Sequence, residues 1–562
     1  MQYSDNLLGR ELENSHWEIF WFESRSINGL GQQHLKLYLQ VLLFLFLGIL
    51  LGGGHNLVSN VNSKRMLEFK TPSGNMYAWD DEIGLFIPIS PAMKEIISNK
   101  SSPREAVIEK LKRNFSENEI AFCYDWIQKW GKIKPDNYNS SVSWRFNASD
   151  IKLHVLRFGL KNLTLCVTED CNFRCIYCAY SNYYKYTRNH SNKYMNFSIA
   201  KRALDYYFSL LKDGRKYNPY REPSIGFYGG EPLLNFNLIK KCVEYIQDEY
   251  SDQRVQYGIT TNGSLLHKGK AKWLIDHGFR IAVSLDGPEE EHNRLRVYKN
   301  GRGTFRDVMK NVGKIMDAGY KNIQCLPVFD WRSDLFGKEE FFKRKDIPSV
   351  QAASLVIESE GCSYYQQFKE EDRLAFMNQL ERAGDYYFAN IDLQMQSDKS
   401  SFFDELIGQA RVTELFRSIS IYRHHPIMPF TGACLPGKKI FVDAKGIYYI
   451  CEKIDGAFPI GNVDEGLNFE KILNIICEYN KSLDKCKECK ITRRCTCCYV
   501  SFATDKRFLC SSKVCEGIES NMEESFIKTF AIAEKYPEFI DRFDLKYKNI
   551  KKNYGDQQCI SG

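Results

Sequence analysis

The sequence predicts an α/β protein whose largest domain, residues 150–365, is a partial (β/α)6 barrel. Six apolar segments suited to buried strands alternate there with amphipathic segments suited to covering helices. The strand candidates are NLTLCVT, SIGFYGG, VQYGITTNG, RIAVSLDG, NIQCLPVF and ASLVIES. Four strand ends carry polar or glycine-rich segments, namely TEDC, YGGEP, TTNG and SLDG. Chemistry in such barrels gathers at the carboxyl ends of the strands, so this placement predicts an active site.

Length and composition bound the remaining possibilities. A chain of 562 residues is too long for one core, and two to four domains are expected. The net charge of +7 is small and no compact Lys/Arg block occurs, so nucleic-acid binding is not favoured. The 19 cysteines include dense clusters with metal-ligand spacing rather than the spacing of a disulfide framework. We therefore expect a cytoplasmic protein.

Residues 1–65 are expected to be a non-native or unstructured extension. Their apolar run, Val41–Leu51, is shorter than the roughly 20 residues that span a bilayer, and Lys36 and Gln40 interrupt the segment before it. The chain also lacks the early basic region of a signal peptide. We expect Met66 to be the functional start and do not expect membrane association, with a membrane anchor as the alternative.

Residues 66–135 are predicted to form a module of winged-helix size. Short alternating runs broken at Ser73, Gly74 and Gly84 indicate a three-stranded meander. Three amphipathic helices follow, the first with Ser90 as its N-cap. The module is either a structural cap or a docking site that accepts a peptide strand at its sheet edge.

Three cysteines follow the first barrel strand in the segment CNFRCIYC: Cys171, Cys175 and Cys178. Four-cysteine sites are usual for zinc and for cubane iron–sulfur clusters, but no obvious fourth ligand lies nearby. The spacing resembles the signature of the radical S-adenosylmethionine (SAM) enzymes, a family with a partial TIM-type barrel. The resemblance implies a [4Fe–4S] cluster whose fourth iron binds SAM, the source of a 5′-deoxyadenosyl radical. A zinc site or chance clustering is the alternative.

The other strand-end motifs resemble the SAM-binding segments of the same family. By resemblance, the two glycines of YGGEP allow close backbone approach, and its Glu accepts hydrogen bonds from the SAM amino group. TTNG, SLDG and the following HNRLRV match segments that contact the ribose and carboxylate. The residues that the resemblance assigns to cofactor binding are Tyr177, Gly229, Gly230, Glu231, Asn262, Ser284, Asp286 and Arg296.

A helical linker, residues 366–430, leads to a cysteine-rich domain over residues 431–520. A predicted hairpin turns at Lys445-Gly446, and CKECKITRRCTCC follows downstream. That spacing alone also fits a zinc knuckle. In this chain it resembles the SPASM extension of radical SAM peptide maturases, which implies two auxiliary [4Fe–4S] clusters. The first would use Cys434, Cys451 and Cys498; the second would use Cys486, Cys489, Cys495 and Cys510.

The chain departs from the family pattern at position 499, where Tyr499 replaces a cysteine. Cys498 or Cys497 must substitute there, and Cys515 is an alternative to Cys510. No cysteine lies between Cys362 and Cys434, so the first auxiliary cluster could have an open iron for a substrate thiolate.

Glu452 occupies the position of a catalytic aspartate in sulfatase-maturing relatives. We expect it to accept a substrate proton, or else to be a surface carboxylate. Residues 521–562 are expected to form a helical tail, in which Cys559 has no chemical role.

The resemblance implies a maturase of ribosomally made, Cys-rich peptides that forms intrapeptide thioether crosslinks. Its partners would be a precursor peptide with a leader sequence and an electron donor such as flavodoxin or ferredoxin. A sulfatase-type maturase that makes formylglycine and an enzyme that forms carbon–carbon crosslinks are alternatives within this class. A zinc-stabilised binding protein is the alternative from another class.

Overall fold

The computed structural model describes residues 65–81, 85–99, 102–132, 146–186, 188–356, 361–409, 434–454, 456–495, 497–510 and 512–535. The predicted extension before Arg65 and its apolar run lie outside the described residues, as do residues 410–433 and Cys559. Among the described residues no helix is both long and apolar enough to cross a membrane.

The N-terminal module contains the predicted three strands and three helices. Its antiparallel sheet has the order β1-β2-β3 and buries Ala78 and Ile87 against Met93 and Ile96. Ser90 caps the first helix by accepting a hydrogen bond from the Met93 amide at 3.1 Å. The elements are β1 (Met66–Lys70), β2 (Met76–Asp80), β3 (Leu85–Pro88), α1 (Pro91–Ser98), α2 (Arg104–Leu111) and α3 (Glu117–Lys132).

The central domain is built on six parallel strands whose spatial order follows their order along the chain, as expected for a partial barrel. Every residue of the first strand is buried, which explains its continuous apolar pattern. The strands are β4 (Asn162–Thr168), β5 (Ser224–Gly229), β6 (Gln256–Thr261), β7 (Arg280–Val283), β8 (Ile323–Cys325) and β10 (Ser349–Val350). The helices around them are α4 (Ala148–Phe158), α5 (Phe197–Gly214), α6 (Phe236–Glu249), α7 (Lys268–Asp276), α8 (Glu289–Leu295), α9 (Phe305–Asp317) and α10 (Leu335–Lys343).

The sixth strand of the sheet differs from the prediction. Ser349–Val350 pairs with β8, whereas the predicted segment ASLVIES contributes only β11 (Ser354–Leu355) to a separate pair with β9 (Val328–Phe329). Pro327 interrupts the chain between β8 and β9, and proline has no amide hydrogen to donate to a ladder. A strand of two residues is also too short to show the alternation of apolar and polar residues from which strands are predicted.

The cysteine-rich region extends the same sheet. Strand β12 (Lys439–Val442) pairs in parallel with β4, and β13 (Ile447–Tyr449), β14 (Gly461–Asn462) and β15 (Gly466–Leu467) follow in antiparallel order. The predicted turn is present: Asp443 accepts hydrogen bonds from the amides of Lys445 and Ile447, and Gly446 has a φ of 87°. The remaining helices are α11 (Glu370–Ala389), α12 (Ile391–Met395), α13 (Phe469–Ser482), α14 (Tyr499–Phe502) and α15 (Ser512–Lys535).

Helix α15 packs on the sheet of the N-terminal module. Phe526 and Phe530 of this helix contact Phe69 and Phe86, in a buried apolar cluster. The helix begins at Ser512, nine residues before the predicted tail. Arg65, which the sequence prediction assigned to the extension, is buried here.

A buried polar network joins the module to the cysteine-rich region. The Arg65 guanidinium forms an ion pair with Asp81 and donates from Nε to the Cys489 carbonyl at 3.2 Å. Asp81 also accepts hydrogen bonds from the Thr492 hydroxyl and from the Arg493 amide, the latter at 2.9 Å.

Candidate active site

A cavity of about 510 Å³ lies inside the parallel sheet and extends to the loops at the carboxyl ends of the strands. Its interior is lined by small residues on neighbouring strands: Gly226 pairs with Gly258, and Ala282 follows on the next strand. Because these side chains cannot fill the centre, the sheet encloses space where a closed barrel of larger residues would be packed solid.

Cys171, Cys175 and Cys178 all line this cavity. They follow β4 directly, and backbone amides donate to two of the sulfurs: Phe173 to Cys171 and Tyr180 to Cys178, each at 3.4 Å. In the described part of the chain, no three or more His, Cys, Asp or Glu side chains are placed to hold a metal ion. The three thiols nevertheless share one cavity. Cysteine thiolates are the ligands that hold iron–sulfur clusters.

The glycines of YGGEP hold the next loop against the cysteine loop. The Gly230 amide donates to the Thr168 carbonyl, and the Glu231 amide donates to the Asp170 carbonyl, both at 2.9 Å. A Cβ on Gly230 would lie 2.2 Å from the Asp170 oxygen, and Gly229 has a φ of 150°. Glycine is therefore required here by the close approach of two backbone segments, and both glycines also line the cavity.

Glu231 lies behind the cavity wall and does not line it. Its carboxylate accepts hydrogen bonds from the amides of Leu233 and Asn262 and from the Thr261 hydroxyl, at 2.7–3.0 Å. Burial raises the pKa of this carboxyl. The side chain thus ties the end of β5 to the end of β6 and fixes Asn262, which does line the cavity.

Asn262 and Ser284 face the cavity from the ends of β6 and β7. The Asn262 side-chain amide donates to Asn172 at 2.8 Å and lies 4.0 Å from the Cys171 sulfur. These two polar side chains therefore lie beside the cysteine loop, and hydrogen bonds to Asn172 and Ser264 hold that of Asn262 in place.

Arg296 brings a fixed positive charge to the cysteine loop. Its Nε donates to Asp286 at 2.7 Å, and Nη1 lies 3.7 Å from the Cys175 sulfur. The Tyr177 hydroxyl donates to the same carboxylate at 2.9 Å, and the guanidinium lies 5.1 Å from the Tyr177 ring centre. Burial would raise the pKa of Asp286, but Arg296, His292 and Lys338 together outweigh it, and the pKa lies below its ordinary value. Asp286 is fully buried and anchors Arg296, whereas Arg296 and Tyr177 line the cavity.

Glu452 also lines the cavity and is not a surface carboxylate. Its side chain is 11% exposed and forms an ion pair with Lys439 at 2.7 Å. Burial would raise the pKa of Glu452, but Lys439, with a smaller contribution from Lys453, outweighs it and lowers the pKa. The carboxylate is therefore ionised at neutral pH, next to Cys451 in the chain.

The cysteines of the downstream region fall into two groups. Cys486 is hydrogen-bonded to Cys510, whose sulfur lies 3.4 Å from that of Cys515. Cys489 and Cys495 interact electrostatically with the same group, and Cys495 is hydrogen-bonded to Cys497. In the second, smaller group, electrostatic interactions join Cys451 to Cys498 and both Cys434 and Cys498 to Tyr499, and Cys498 also interacts with Cys497 of the first group.

Tyr499 is a core residue. Its ring packs 4.4 Å from that of Tyr479 and 5.6 Å from that of Phe508. The position that the family pattern reserves for cysteine therefore holds a buried aromatic side chain, with Cys498 and Cys497 just before it.

Two residues of the cavity were missed by sequence reasoning. His190 lines it with Nε2 3.6 Å from the Cys178 sulfur, and Lys439 pairs with Glu452. His190 lies in a loop without a motif, so the sequence carries no signal for it. Lys439 directly precedes the apolar strand IFV, and its contact depends on the parallel pairing of β12 with β4.

Comparison with known proteins identifies the class. A model of the radical SAM superfamily matches residues 165–330. An uncharacterised protein of Methanocaldococcus jannaschii is 40% identical over 309 residues, which are 55% of this chain and 90% of that protein. The chain belongs to the radical SAM superfamily and is an enzyme of that class, whose members use a [4Fe–4S] cluster and SAM.

Among named relatives, the chain is similar to a cysteine-type anaerobic sulfatase-maturating enzyme of Clostridium novyi. The two are 24% identical over 348 residues, which are 59% of this chain and 86% of that enzyme. The solved structure of anSMEcpe with bound AdoMet aligns with a TM-score of 0.49 at 20% identity, over 70% of this chain and 97% of that one.

Proposed function

We propose that the enzyme modifies a ribosomally made, Cys-rich precursor peptide and forms intrapeptide thioether crosslinks. The observation that carries this proposal is the shared cavity. It brings Cys171, Cys175 and Cys178 together with Glu452 and Lys439, which come from the hairpin of the cysteine-rich region. A peptide side chain bound there would contact both parts of the enzyme at once.

In this proposal the three cysteines hold the [4Fe–4S] cluster. The backbone of Gly229 and Gly230 and the side chains of Asn262, Ser284, Arg296 and Tyr177 bind SAM, and Glu231 and Asp286 hold these residues in place. When bound, the cluster and SAM supply a 5′-deoxyadenosyl radical, which abstracts a hydrogen atom from the substrate. The enclosed cavity excludes bulk water from that reaction.

Glu452 is the proposed base. Formation of a thioether would transfer one hydrogen atom from carbon to the 5′-deoxyadenosyl radical, release the proton of the substrate thiol, and return one electron to an iron–sulfur cluster of the enzyme. The carboxylate that Lys439 keeps ionised is placed in the cavity wall to accept that proton. We include in the proposal two auxiliary [4Fe–4S] clusters, held by the two groups of downstream cysteines.

The N-terminal module is proposed to bind the leader of the precursor. Support comes from the three-stranded sheet, in which β3 has a strand neighbour on one side only among the described residues. An extended peptide can add to such an edge through main-chain hydrogen bonds. An electron donor such as flavodoxin or ferredoxin and a cytoplasmic location belong to the same proposal.

A formylglycine-generating maturase is the second candidate, favoured by the similarity to the cysteine-type sulfatase-maturating enzyme. The two functions differ in the mass of the product. A thioether crosslink removes two hydrogens from the peptide and keeps the sulfur, whereas formylglycine formation removes two hydrogens and also replaces the cysteine sulfur by oxygen.

The test is mass spectrometry of small Cys-rich peptides encoded nearby, after anaerobic incubation with enzyme, SAM and reductant. We expect the loss of two hydrogens per modification, and the loss of this product in Glu452→Gln. The matched control is Glu478→Gln, an exposed carboxylate in the same region, which should retain activity. Replacement of sulfur by oxygen together with the loss of two hydrogens would support the second candidate, and unmodified peptides would contradict both.

A further inference from the structure

We propose that a surface beside the amino ends of β4 and β5 docks a small acidic electron-carrier protein of the flavodoxin type. The inference deepens the proposed function and rests on it, because it takes the downstream cysteines as ligands of iron–sulfur clusters. We call this region the basic aromatic surface. Its residues are Arg157, Phe158, Lys161, Lys216, Tyr217 and Tyr220.

Large aromatic side chains are exposed on this surface. Tyr220 is 92% exposed, Phe158 is 62% exposed and Tyr217 is 37% exposed. Single exposed apolar side chains are normal, but a group of them marks an interaction site. Aromatic residues and arginine are also the types enriched at protein–protein interfaces.

Direct contacts join the two segments of the basic aromatic surface. The Arg157 guanidinium lies 5.1 Å from the Tyr217 ring centre, and Lys216 Nζ lies 5.0 Å from the same centre. The Arg221 guanidinium donates to the carbonyls of Leu156 and Arg157, at 3.1 and 2.6 Å. The end of α4 and the loop before β5 therefore form one continuous face.

The charge of this face favours an acidic partner. Residues 157–161 and 212–222 together contain six basic residues against Asp213 and Glu222, whereas the whole chain has 77 basic and 70 acidic residues. Complementary charge steers the encounter of two proteins and raises the rate at which they associate. A nucleic acid fits less well, because its phosphates would meet the two carboxylates of the same loop.

The basic aromatic surface adjoins a proposed cluster ligand. The Leu160 amide donates to the Gly437 carbonyl, and the Lys161 amide donates to the Lys438 carbonyl, both at 2.8 Å. Cys434 lies three residues before Gly437 and is exposed. Electron transfer between proteins requires the two redox groups to come close together. This exposed cysteine beside a docking face therefore favours an electron carrier over other acidic proteins.

A flavodoxin supplies electrons singly. Its flavin, in the anionic hydroquinone form, gives up one electron and becomes the neutral semiquinone. One oxidised [4Fe–4S] cluster of the enzyme gains that electron, so no bond is broken and no proton is transferred in the step.

The experiment measures the affinity of the reconstituted full-length enzyme for flavodoxin by isothermal titration calorimetry. The test variant combines Arg157→Glu with Lys216→Glu. The matched control combines Lys310→Glu with Lys314→Glu, which changes the net charge equally at exposed positions of α9. A third variant, Tyr220→Ala, removes an almost fully exposed ring and should not disturb folding. The second readout is the rate at which flavodoxin hydroquinone or dithionite bleaches the visible absorbance of the clusters.

We expect the affinity for flavodoxin to fall about tenfold in the test variant at low ionic strength and to stay unchanged in the control. Tyr220→Ala should also weaken binding, by about threefold to tenfold. Added salt should weaken the binding of the wild type more than that of the test variant, because it screens exposed charges. Reduction by flavodoxin should slow in parallel, while reduction by dithionite should be the same in all four proteins.

Equal affinities in the test and control variants, together with an unchanged affinity in Tyr220→Ala, would overturn the inference. So would a single-stranded oligonucleotide that binds the wild type more tightly than flavodoxin does. Both results would leave the proposed function intact, because dithionite would still reduce the clusters. A wild-type enzyme without reducible iron–sulfur clusters would overturn the proposed function, and the inference with it.

Discussion

Replacement of Gly230 by alanine tests the packing of the two loops that build the cavity. The added Cβ would lie 2.2 Å from the Asp170 oxygen and 2.5 Å from its carbonyl carbon. Both atoms are backbone, so no side chain can swing away to relieve the contact. We expect a loss of about 3 kcal/mol, the upper part of the usual range for overpacking. For a domain of this size, this loss lowers the melting temperature by about 6–12 °C.

The assay is thermal unfolding of the apo and reconstituted enzymes, together with iron content. The matched control is Gly313→Ala, in the interior of α9, where an added Cβ meets no atom within 4 Å. Alanine is the better helix former, so this control should gain about 0.5–1 kcal/mol. Equal melting temperatures for the two variants, with full iron content in Gly230→Ala, would refute the close-approach argument.

Three further predictions concern buried polar groups. Lys439→Met should destabilise the enzyme by about 3–5 kcal/mol, because it leaves the Glu452 carboxylate buried without its partner. Adding Glu452→Gln should recover most of this loss, which a double-mutant cycle of thermal stability measures. Asp81→Ala should lower the free energy of unfolding by about 3–5 kcal/mol, because it leaves the buried Arg65 guanidinium without its ion-pair partner, and it should reduce the iron retained by the cysteine-rich region. Unchanged stability and iron content would show that this polar network is dispensable. Burial lowers the pKa of His292 from 6.5 to about 3, so below pH 6.5 the unfolded state takes up a proton that the folded state excludes. The free energy of unfolding should therefore fall by about 1.4 kcal/mol for each unit by which the pH is lowered below 6.5. Chemical denaturation measured down to about pH 4.5 should show a smaller dependence on pH for His292→Gln.

The elements whose hydrophobic pattern extends over several residues could be predicted from the sequence. Strands β4 to β7 are long apolar runs, and the cysteine, glycine and asparagine motifs mark their carboxyl ends. The strands and helices of the N-terminal module could also be predicted, because turn residues and helix caps mark where they begin and end. Strand β10 was misplaced because two residues show no periodicity.

Contacts between distant segments could not be predicted. The parallel pairing of β12 with β4 joins residues more than 270 positions apart, and it alone brings Lys439 and Glu452 to the cavity. The packing of α15 on the N-terminal sheet is of the same kind. The contact of Glu231 with SAM was predicted from its motif. The sequence did not indicate that its fully buried carboxylate accepts hydrogen bonds from the amides of Leu233 and Asn262, which follow the ends of two strands.

The most direct test of the account is the formation of 5′-deoxyadenosine by anaerobically purified enzyme given SAM and reductant, with metal analysis of the same sample. We expect 5′-deoxyadenosine and on the order of 12 iron atoms per chain in the wild type. The variant with Cys171, Cys175 and Cys178 replaced by alanine should form none and retain the iron of the other sites. Zinc in place of iron at these three cysteines, or 5′-deoxyadenosine formed by the variant, would contradict the account.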